Sequence, residues 1–355
     1  NHYVLQVEAF NRAVSEQADW PLPLEFSRGT QAWIDTFFRD GNALPLFERE
    51  SMSDEDMVAY LERCLMDPGA SRPSIETLLH GFLPQTSVVH SHADAILSLT
   101  NSRSPHQLLA QVFGNDLVAV TYRRPGFLLS KEVALAALSR PGVKGVVLMN
   151  HGLVTWASTP RVSYDTHIEL VTQAEEYLHS RSQGRVAFGG ARFTALEQEE
   201  RRRVAAAVAP TLRSLLGSQG GRRSLLRFDD CDEILTFVNS KKALALAEAG
   251  AATPDHLLST KQRPLMVEVG NPSYVGDLRR ALEQGVEEYR RAYGDWFRAH
   301  ADGSTEMRDA APRVVLVPGL GMWISGPDAG SLSVVSDIYH HTVSIMAGAS
   351  AVDEY

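Results

Sequence analysis

The chain has 355 residues, 44% hydrophobic and 22% charged, with 34 Lys and Arg against 43 Asp and Glu, for a formal charge of −9. This composition is globular and excludes a disordered chain, the length implies two or three domains at ~150 residues each, and the acid excess argues against a nucleic-acid partner. No apolar run reaches the ~20 residues that span a bilayer, and two cysteines, Cys64 and Cys231, cannot build a disulfide scaffold. With no secretory pattern at its start, the chain is expected in the cytoplasm. It opens at Asn1 without a Met, and so reads as processed, truncated or partial.

Apolar spacing predicts helices over 4–17 and 29–40, separated by Pro21 and Pro23. Ser53 followed by Asp54, Glu55 and Asp56 is an N-cap with acids in the first turn, so 54–66 is a helix ended by Pro68-Gly69. A second helix, 74–81, starts behind Pro73. Short β-rich runs then alternate with helices: strands at 87–90, 117–122 and 144–150, a helix or turn at 93–100, a helix at 130–138 capped by Ser130, and a long helix at 160–180. The Gly- and Arg-rich stretch 181–193 reads as a boundary, and a charged helix 194–216 and a Gly-rich break follow. Beyond it, strands are expected at 234–238, 265–269 and 313–317, and helices at 240–249, 275–300 and 330–347. The domain expectation is 1–190, a helical linker 191–222, and a second αβ domain 223–355, in an α/β (α+β) layer architecture.

KGVVLMNHGLVTW (144–156) and PRVVLVPGLGMW (312–323) are alike, each a strand, a turn and then a long helix. Two readings stand side by side: any strand-turn-helix unit looks like this, or the second half is a degenerate repeat with Pro318-Gly319 in place of Asn150-His151.

Three features carry chemistry. In His90-Ser91-His92 the strand period of two sends both imidazoles to one side. Asn150-His151-Gly152 ends another apolar strand. Three imidazoles from two strand ends can hold Zn²⁺ or another divalent ion with a position left open, and Gly152 lets the backbone turn close beside it. Glu76, at the start of an apolar helix behind Ser74, is an acid placed for proton transfer, with a carboxyl pKa that burial would raise. Each feature alone has a bland explanation: surface imidazoles, an ordinary turn, an acid on a helix dipole. Their order and their places at element boundaries favour a site. Asp255, His256 and Lys261 in the TPDHLLSTK loop either cap and solubilise that loop, the reading slightly favoured, or reach a substrate, with Lys261 able to hold an anion as a point charge. His340-His341 are adjacent on a helix and cannot share a face.

PSIETLLHGFLPQTSVVHSHADAILSLT and GVVLMNHGLVTWASTPRVSYDTHIELVTQAEEYL resemble the class II aldolase/adducin family over residues 72–180. The C-terminal half, with TPDHLLSTKQRPL, EEYRRAYGDWF, PRVVLVPGLGMW and DIYHHTVSIM, resembles the aldolase-like region of long rhamnose-pathway proteins that continue into a short-chain dehydrogenase. No GxGxxG follows a strand here, so the chain is either a stand-alone unit or an excised part. The resemblance implies an αβα sandwich with a central, mostly antiparallel sheet, and a homo-oligomer, often a tetramer, acting on a small molecule. It makes His90, His92 and His151 the metal ligands and Glu76 the catalytic acid/base, with substrate contacts expected from Ser74, Asn150, Gly152, His256 and Lys261. Zinc is the preferred ion, with iron, manganese or cobalt as alternatives.

The family's phosphate-binding Gly-Asn-[Thr/Ser]-Ser loop is not intact. Asp40-Gly41-Asn42-Ala43 lacks the hydroxyls and Ser27-Arg28-Gly29-Thr30 lacks the Asn. The expected function is a metal-dependent lyase that cleaves or forms a C–C bond of a hydroxy-carbonyl, sugar-like compound through an enediolate. Epimerase, dehydratase, decarboxylase or iron-oxygenase chemistry on the same scaffold is the alternative. A non-catalytic, adducin-like interaction module is another, though such a module should have lost the histidines.

Overall fold

The structure, a computed structural model, describes residues 44–65, 69, 71–217, 224–301, 305–307 and 309–355. The expected helices at 4–17 and 29–40 and the loops 27–30 and 40–43 lie outside the described residues. The chain divides into two compact units. One takes the described residues through Ile96 together with His106–Ala174, and the other takes Leu97–Pro105 and Glu175–Tyr355.

In chain order the elements are α1 (Leu44–Phe47), α2 (Asp54–Arg63), α3 (Thr77–Gly81), β1 (Ser87–Ser91), α4 (Asp94–Thr100), α5 (Pro105–Phe113), β2 (Leu117–Val120), α6 (Phe127–Ser139), β3 (Gly145–Leu148), β4 (Gly152–Ala157) and α7 (Pro160–Ser182). The second series is α8 (Gln198–Leu216), β5 (Leu225–Asp229), α9 (Asp232–Val238), α10 (Ala243–Ala249), α11 (Pro254–Thr260), β6 (Leu265–Met266), α12 (Val275–His300), β7 (Val314–Val317), β8 (Gly321–Gly326) and α13 (Ala329–Val352). Among the described residues no helix is long and apolar enough to cross a membrane.

Strand period decides which residues each sheet sends to which side. In the first unit Val120, Val146, Leu148 and Val154 pack under Leu79 of α3 and Leu129 and Val133 of α6, and α2 closes that layer with Met57 and Leu61. On the opposite face Thr155 meets Ser163 and His167 of α7. The second unit is a sandwich of the same kind. Val315, Val317 and Trp323 pack against α8 and α12 through Val204, Val208, Leu212, Leu278 and Leu282. Val314, Leu316, Met322 and Ile324 pack against α9, α10 and α13 through Ile234, Phe237, Leu246, Val335 and Tyr339. Each such side chain contributes ~1.5–3 kcal/mol when fully buried.

Several expectations are corrected here. Residues 234–238 form helix, not strand: Cys231 stands at the N-cap with Asp232 and Glu233 in the first turn, and Ile234, Phe237 and Val238 fall on one buried side. The TPDHLLSTK loop is α11, whose Thr253 hydroxyl accepts the His256 N–H at 3.2 Å. Ser130 is not a cap. It lies inside α6, which starts at Gly126 (φ 142), and its hydroxyl donates to the Gly126 carbonyl at 3.0 Å. The stretch expected as a helical linker contains α8, whose apolar side chains belong to the core of the second unit. Strands β4, β5 and β8 and helix α5 were not anticipated.

The two sheets have one topology: β1-β4-β3-β2 and β5-β8-β7-β6. In each, the first two pairings are antiparallel and the last is parallel. The degenerate-repeat reading therefore holds at the level of the fold, but its register shifts by one residue. Leu148 pairs with Gly152, and Val317 with Gly321. Asn150 (φ 55) thus matches Gly319 (φ 84), and His151 matches Leu320. The His151 N–H donates to the Leu148 carbonyl at 3.1 Å, as the Leu320 N–H does to that of Val317 at 3.1 Å. Because Ser91 pairs with Leu153 and Asp229 with Met322, His90 and His92 correspond to Phe228 and Asp230. All three histidines are replaced.

Candidate metal centre

The β1–β4 pairing creates the site. His90 pairs with Val154 and so faces the α3–α6 side of the sheet, and Ser91 pairs with Leu153 and faces α7. His92 continues past the strand end, and the Asn150 turn brings His151 back beside both. Gly152 is required for this approach. A Cβ there would stand 2.2 Å from the Ser91 carbonyl oxygen, 3.0 Å from His92 Cδ2 and 3.1 Å from His90 Cε1.

The three rings form a triangle, with centroids 4.9, 5.2 and 4.7 Å apart. Glu76 joins them, so that four potential ligand atoms lie within 4.8 Å of one another. The carboxylate Oε1 is 2.9 Å from His151 Nε2 and 3.7 Å from His90 Nε2. Glu76 stands at the N-cap of α3 but makes no side-chain cap bond. Its carboxylate serves the histidines rather than the helix.

This donor set fits a divalent cation. His90 Nδ1 lies 3.0 Å from the Leu153 carbonyl, which only accepts, so Nδ1 carries the proton and Nε2 offers its lone pair toward His92 Nε2 at 3.1 Å. A backbone carbonyl holding the outer nitrogen is the usual support of a metal-bound imidazole. The His151 ring nitrogens are buried and neither has hydrogen-bond geometry to a protein group; the approach of Nε2 to Glu76 is an ion-pair distance only. Nδ1 of that buried ring has no protein partner and Nε2 has only the Glu76 carboxylate, an arrangement that a cation shared by the two would satisfy.

Burial by itself would raise the Glu76 carboxyl, but the His151 and His90 imidazoles outweigh it and hold the group well below the usual carboxylate range. The expectation of a raised pKa is thereby corrected: facing donors win over desolvation.

His167 of α7 places Nε2 2.6 Å from Ser91 Oγ and Nδ1 2.9 Å from Thr155 Oγ1. Burial pushes its pKa down to about 4, so it is neutral near pH 7. It braces the residue between the two β1 histidines.

Of the other candidates, Ser74 accepts the Glu76 N–H at 3.1 Å, and Asn150 and Gly152 form the turn already described. His256 and Lys261 lie in the second unit. His256 is buried with Nδ1 2.8 Å from Thr342 Oγ1. Lys261 is buried with its ammonium on the Asp309 carbonyl and 4.1 Å over the Tyr293 ring.

Residues 47–178 match the model of the class II aldolase and adducin N-terminal domain, and residues 203–355 match that of the aldolase class II second domain. A Bacillus subtilis protein described as an uncharacterized oxidoreductase, YuxG, is 37% identical over 313 residues, which is 88% of this chain and 45% of that protein. The chain thus spans about half the length of that curated relative. The solved N-terminal class II aldolase domain of a conserved Thermoplasma acidophilum protein is 44% identical over 38% of this chain and 62% of its own, with a TM-score of 0.36.

Proposed function

The chain belongs to the class II aldolase and adducin family, and from that membership and the site we propose that it is a divalent-metal-dependent lyase. Its reaction is the cleavage or formation of a C–C bond next to the carbonyl of a small hydroxy-carbonyl compound. The observation that carries this reading is the convergence of His90, His92 and His151 on Glu76, four donor atoms within 4.8 Å of one another. His90, His92 and His151 would hold the ion, zinc by preference. Bound there, a divalent cation supplies Lewis-acid stabilisation of negative charge developing on the substrate's oxygens.

The protein's own residues supply the rest. Glu76 rests as a carboxylate, so its first act is that of a base, taking a proton from the substrate. It returns that proton to the carbon or oxygen left electron-rich when the bond breaks. Gly152 lets the turn approach the imidazoles, and Asn150 in the same turn would orient a substrate hydroxyl. His167 and Ser91 keep β1 in register so that the imidazoles do not drift. The proposal sets the reaction in the cytoplasm, in a homo-oligomer. The name oxidoreductase is that of a relative spanned here for less than half its length.

The test is metal analysis of protein purified without added metal, alongside cleavage assays on a panel of hydroxy-carbonyl compounds. The His90→Ala/His92→Ala/His151→Ala variant should lose both the first-unit metal and turnover. Glu76→Gln should keep its fold while kcat falls by ~10²–10⁴-fold. Parental metal content in the triple variant, or parental kcat in Glu76→Gln, would overturn the reading.

A further inference from the structure

The second unit has lost the three histidines, but its corresponding strand end carries a different donor set on the opposite face of the sheet. Asp229 occupies the register position of Ser91. In the first unit Ser91 meets His167 of α7 at 2.6 Å. In the second, Asp229 Oδ2 meets His340 of α13 at 2.9 Å. A strand-end side chain meets the long helix in both units, about one helical turn further along in the second, with a carboxylate in place of the hydroxyl. Cys231, at the N-cap of α9, completes the group: a carboxylate oxygen, a thiol sulfur and an imidazole nitrogen lie within 4.8 Å of one another.

The surroundings resemble a built site more than a chance ion pair. His340 Nδ1 lies 2.7 Å from Glu233 Oε2, and Glu233 Oε1 accepts from Ser344 Oγ at 3.0 Å. A carboxylate fixed in this way takes the Nδ1 proton and aims Nε2, the support that metal-bound imidazoles ordinarily have. Asp229 is fixed as well: Oδ1 accepts the Cys231 N–H at 3.1 Å while Oδ2 faces His340. The sulfur is at the exposed edge, so a fourth position opens to water. In the first unit the positions matching Cys231, Glu233 and His340 are Ala93, Ala95 and Val171, so the set belongs to the second unit alone.

We propose that Asp229, Cys231 and His340 bind a second divalent cation, with Glu233 as the acceptor behind His340. Thiolate, imidazole and carboxylate together select zinc among the common divalent ions, and magnesium and calcium are excluded by the sulfur and nitrogen donors. Tetrahedral zinc bonds of ~2.0–2.3 Å require donor separations of ~3.3–3.8 Å, a contraction that rotation of the exposed Cys231 side chain supplies. Binding releases the thiol proton of Cys231 and the Nε2 proton that His340 shares with Asp229, both to solvent. The ion would tie β5, the start of α9 and the middle of α13 together. This inference concerns the second unit and does not depend on the proposed reaction.

Cobalt titration of the metal-stripped full chain tests it, because a thiolate ligand gives near-ultraviolet charge-transfer absorption that an all-histidine site cannot give. The absorption should appear in the parent and persist in the His90→Ala/His92→Ala/His151→Ala variant. It should vanish in Cys231→Ser and in His340→Ala. Each of those two variants should also bind one zinc equivalent fewer than the parent. Cys231→Ser changes a single exposed atom, and an unchanged far-ultraviolet circular dichroism spectrum certifies its fold. No charge-transfer band in the parent, or a band that survives Cys231→Ser, overturns the proposal.

Discussion

Gly152→Ala separates the strain of the fold from the geometry of the metal centre. The added methyl would meet the Ser91 carbonyl oxygen at 2.2 Å and the rings of His92 and His90 at 3.0 and 3.1 Å. Ordinary non-bonded contacts lie near ~3.5 Å, so the end of β1 must retreat by about 1 Å. Overpacking of this kind costs ~1–3 kcal/mol. The same retreat pulls His90 off the Leu153 carbonyl, now 3.0 Å away, and loss of such a partner weakens metal binding by ~10–100-fold. Gly145→Ala is the control. It sits at the other end of the β3–β4 hairpin, and its methyl would meet the Val154 carbonyl at 2.6 Å and touch no histidine. Both variants should lose comparable stability in denaturant titrations, and only Gly152→Ala should lose first-unit metal affinity, measured by competition with a chelator. Parental affinity in Gly152→Ala, or an equal loss in Gly145→Ala, would refute the argument that Gly152 exists for the ligands.

His167→Leu should cost ~1–3 kcal/mol, because it strips the ring partner from the Thr155 hydroxyl, and should weaken metal binding through Ser91; thermal melting with and without zinc reads both. In metal-free protein, burial lowers the His340 pKa, but the hydrogen bonds to Asp229 and Glu233 outweigh it and raise the value above 6.5. The stabilisation it brings, about 1 kcal/mol after solvent screening, is therefore full below that pH and is lost as pH rises through the raised value; the stability difference between parent and His340→Ala should shrink over the same range. Burial depresses Lys261 from 10.5 to about 8, so the unfolded chain holds its proton longer and the parent should gain stability between those two pH values. Lys261→Met should lack that gain in urea titrations, and a KM equal to the parent's would remove Lys261 from the groups that hold substrate.

The ligands were legible because metal chemistry leaves a local trace: His90 and His92 are two apart on a strand, and His151 is followed by the glycine that the approach demands. Glu76 was legible as to place but not as to charge state, since its pKa depends on rings 14 and more residues downstream that only the β1–β4 pairing brings near. The misread elements have a common cause. Ile234–Val238 is a short apolar run rich in β-branched and aromatic residues, which fits a buried strand and a helix turn alike, and Cys231 is a weak cap signal beside Ser or Asp. Strands β4 and β8 follow β3 and β7 after tight turns, so the sequence reads as one strand running into a helix. His340 was set aside because its neighbour His341 cannot share its face, yet its partners lie on β5 and α9, more than 100 residues away.

The one-residue correction in the repeat changes what the duplication means. Aligned by eye, Pro318-Gly319 replaces Asn150-His151 and the second turn looks rebuilt. Aligned by hydrogen-bond register, the turn is the same: a left-handed residue at Asn150 or Gly319, the same bond back to the strand, and a glycine whose added Cβ would stand 2.2 Å (Gly152) or 2.5 Å (Gly321) from the neighbouring strand's carbonyl. Only side chains differ. Leu320 fills the His151 position and is fully buried. Phe228 fills that of His90 and packs on Trp323 with ring centroids 4.7 Å apart. Asp230 fills that of His92 and is paired with Arg201 of α8 at 3.0 Å. Two ligand positions became core, and the third kept a charge that is neutralised by a guanidinium from the flanking helix. The close glycine therefore serves the hairpin's approach in both units and the histidines in one. That is why its replacement should cost stability in either unit, while only Gly152→Ala should disturb the histidine site.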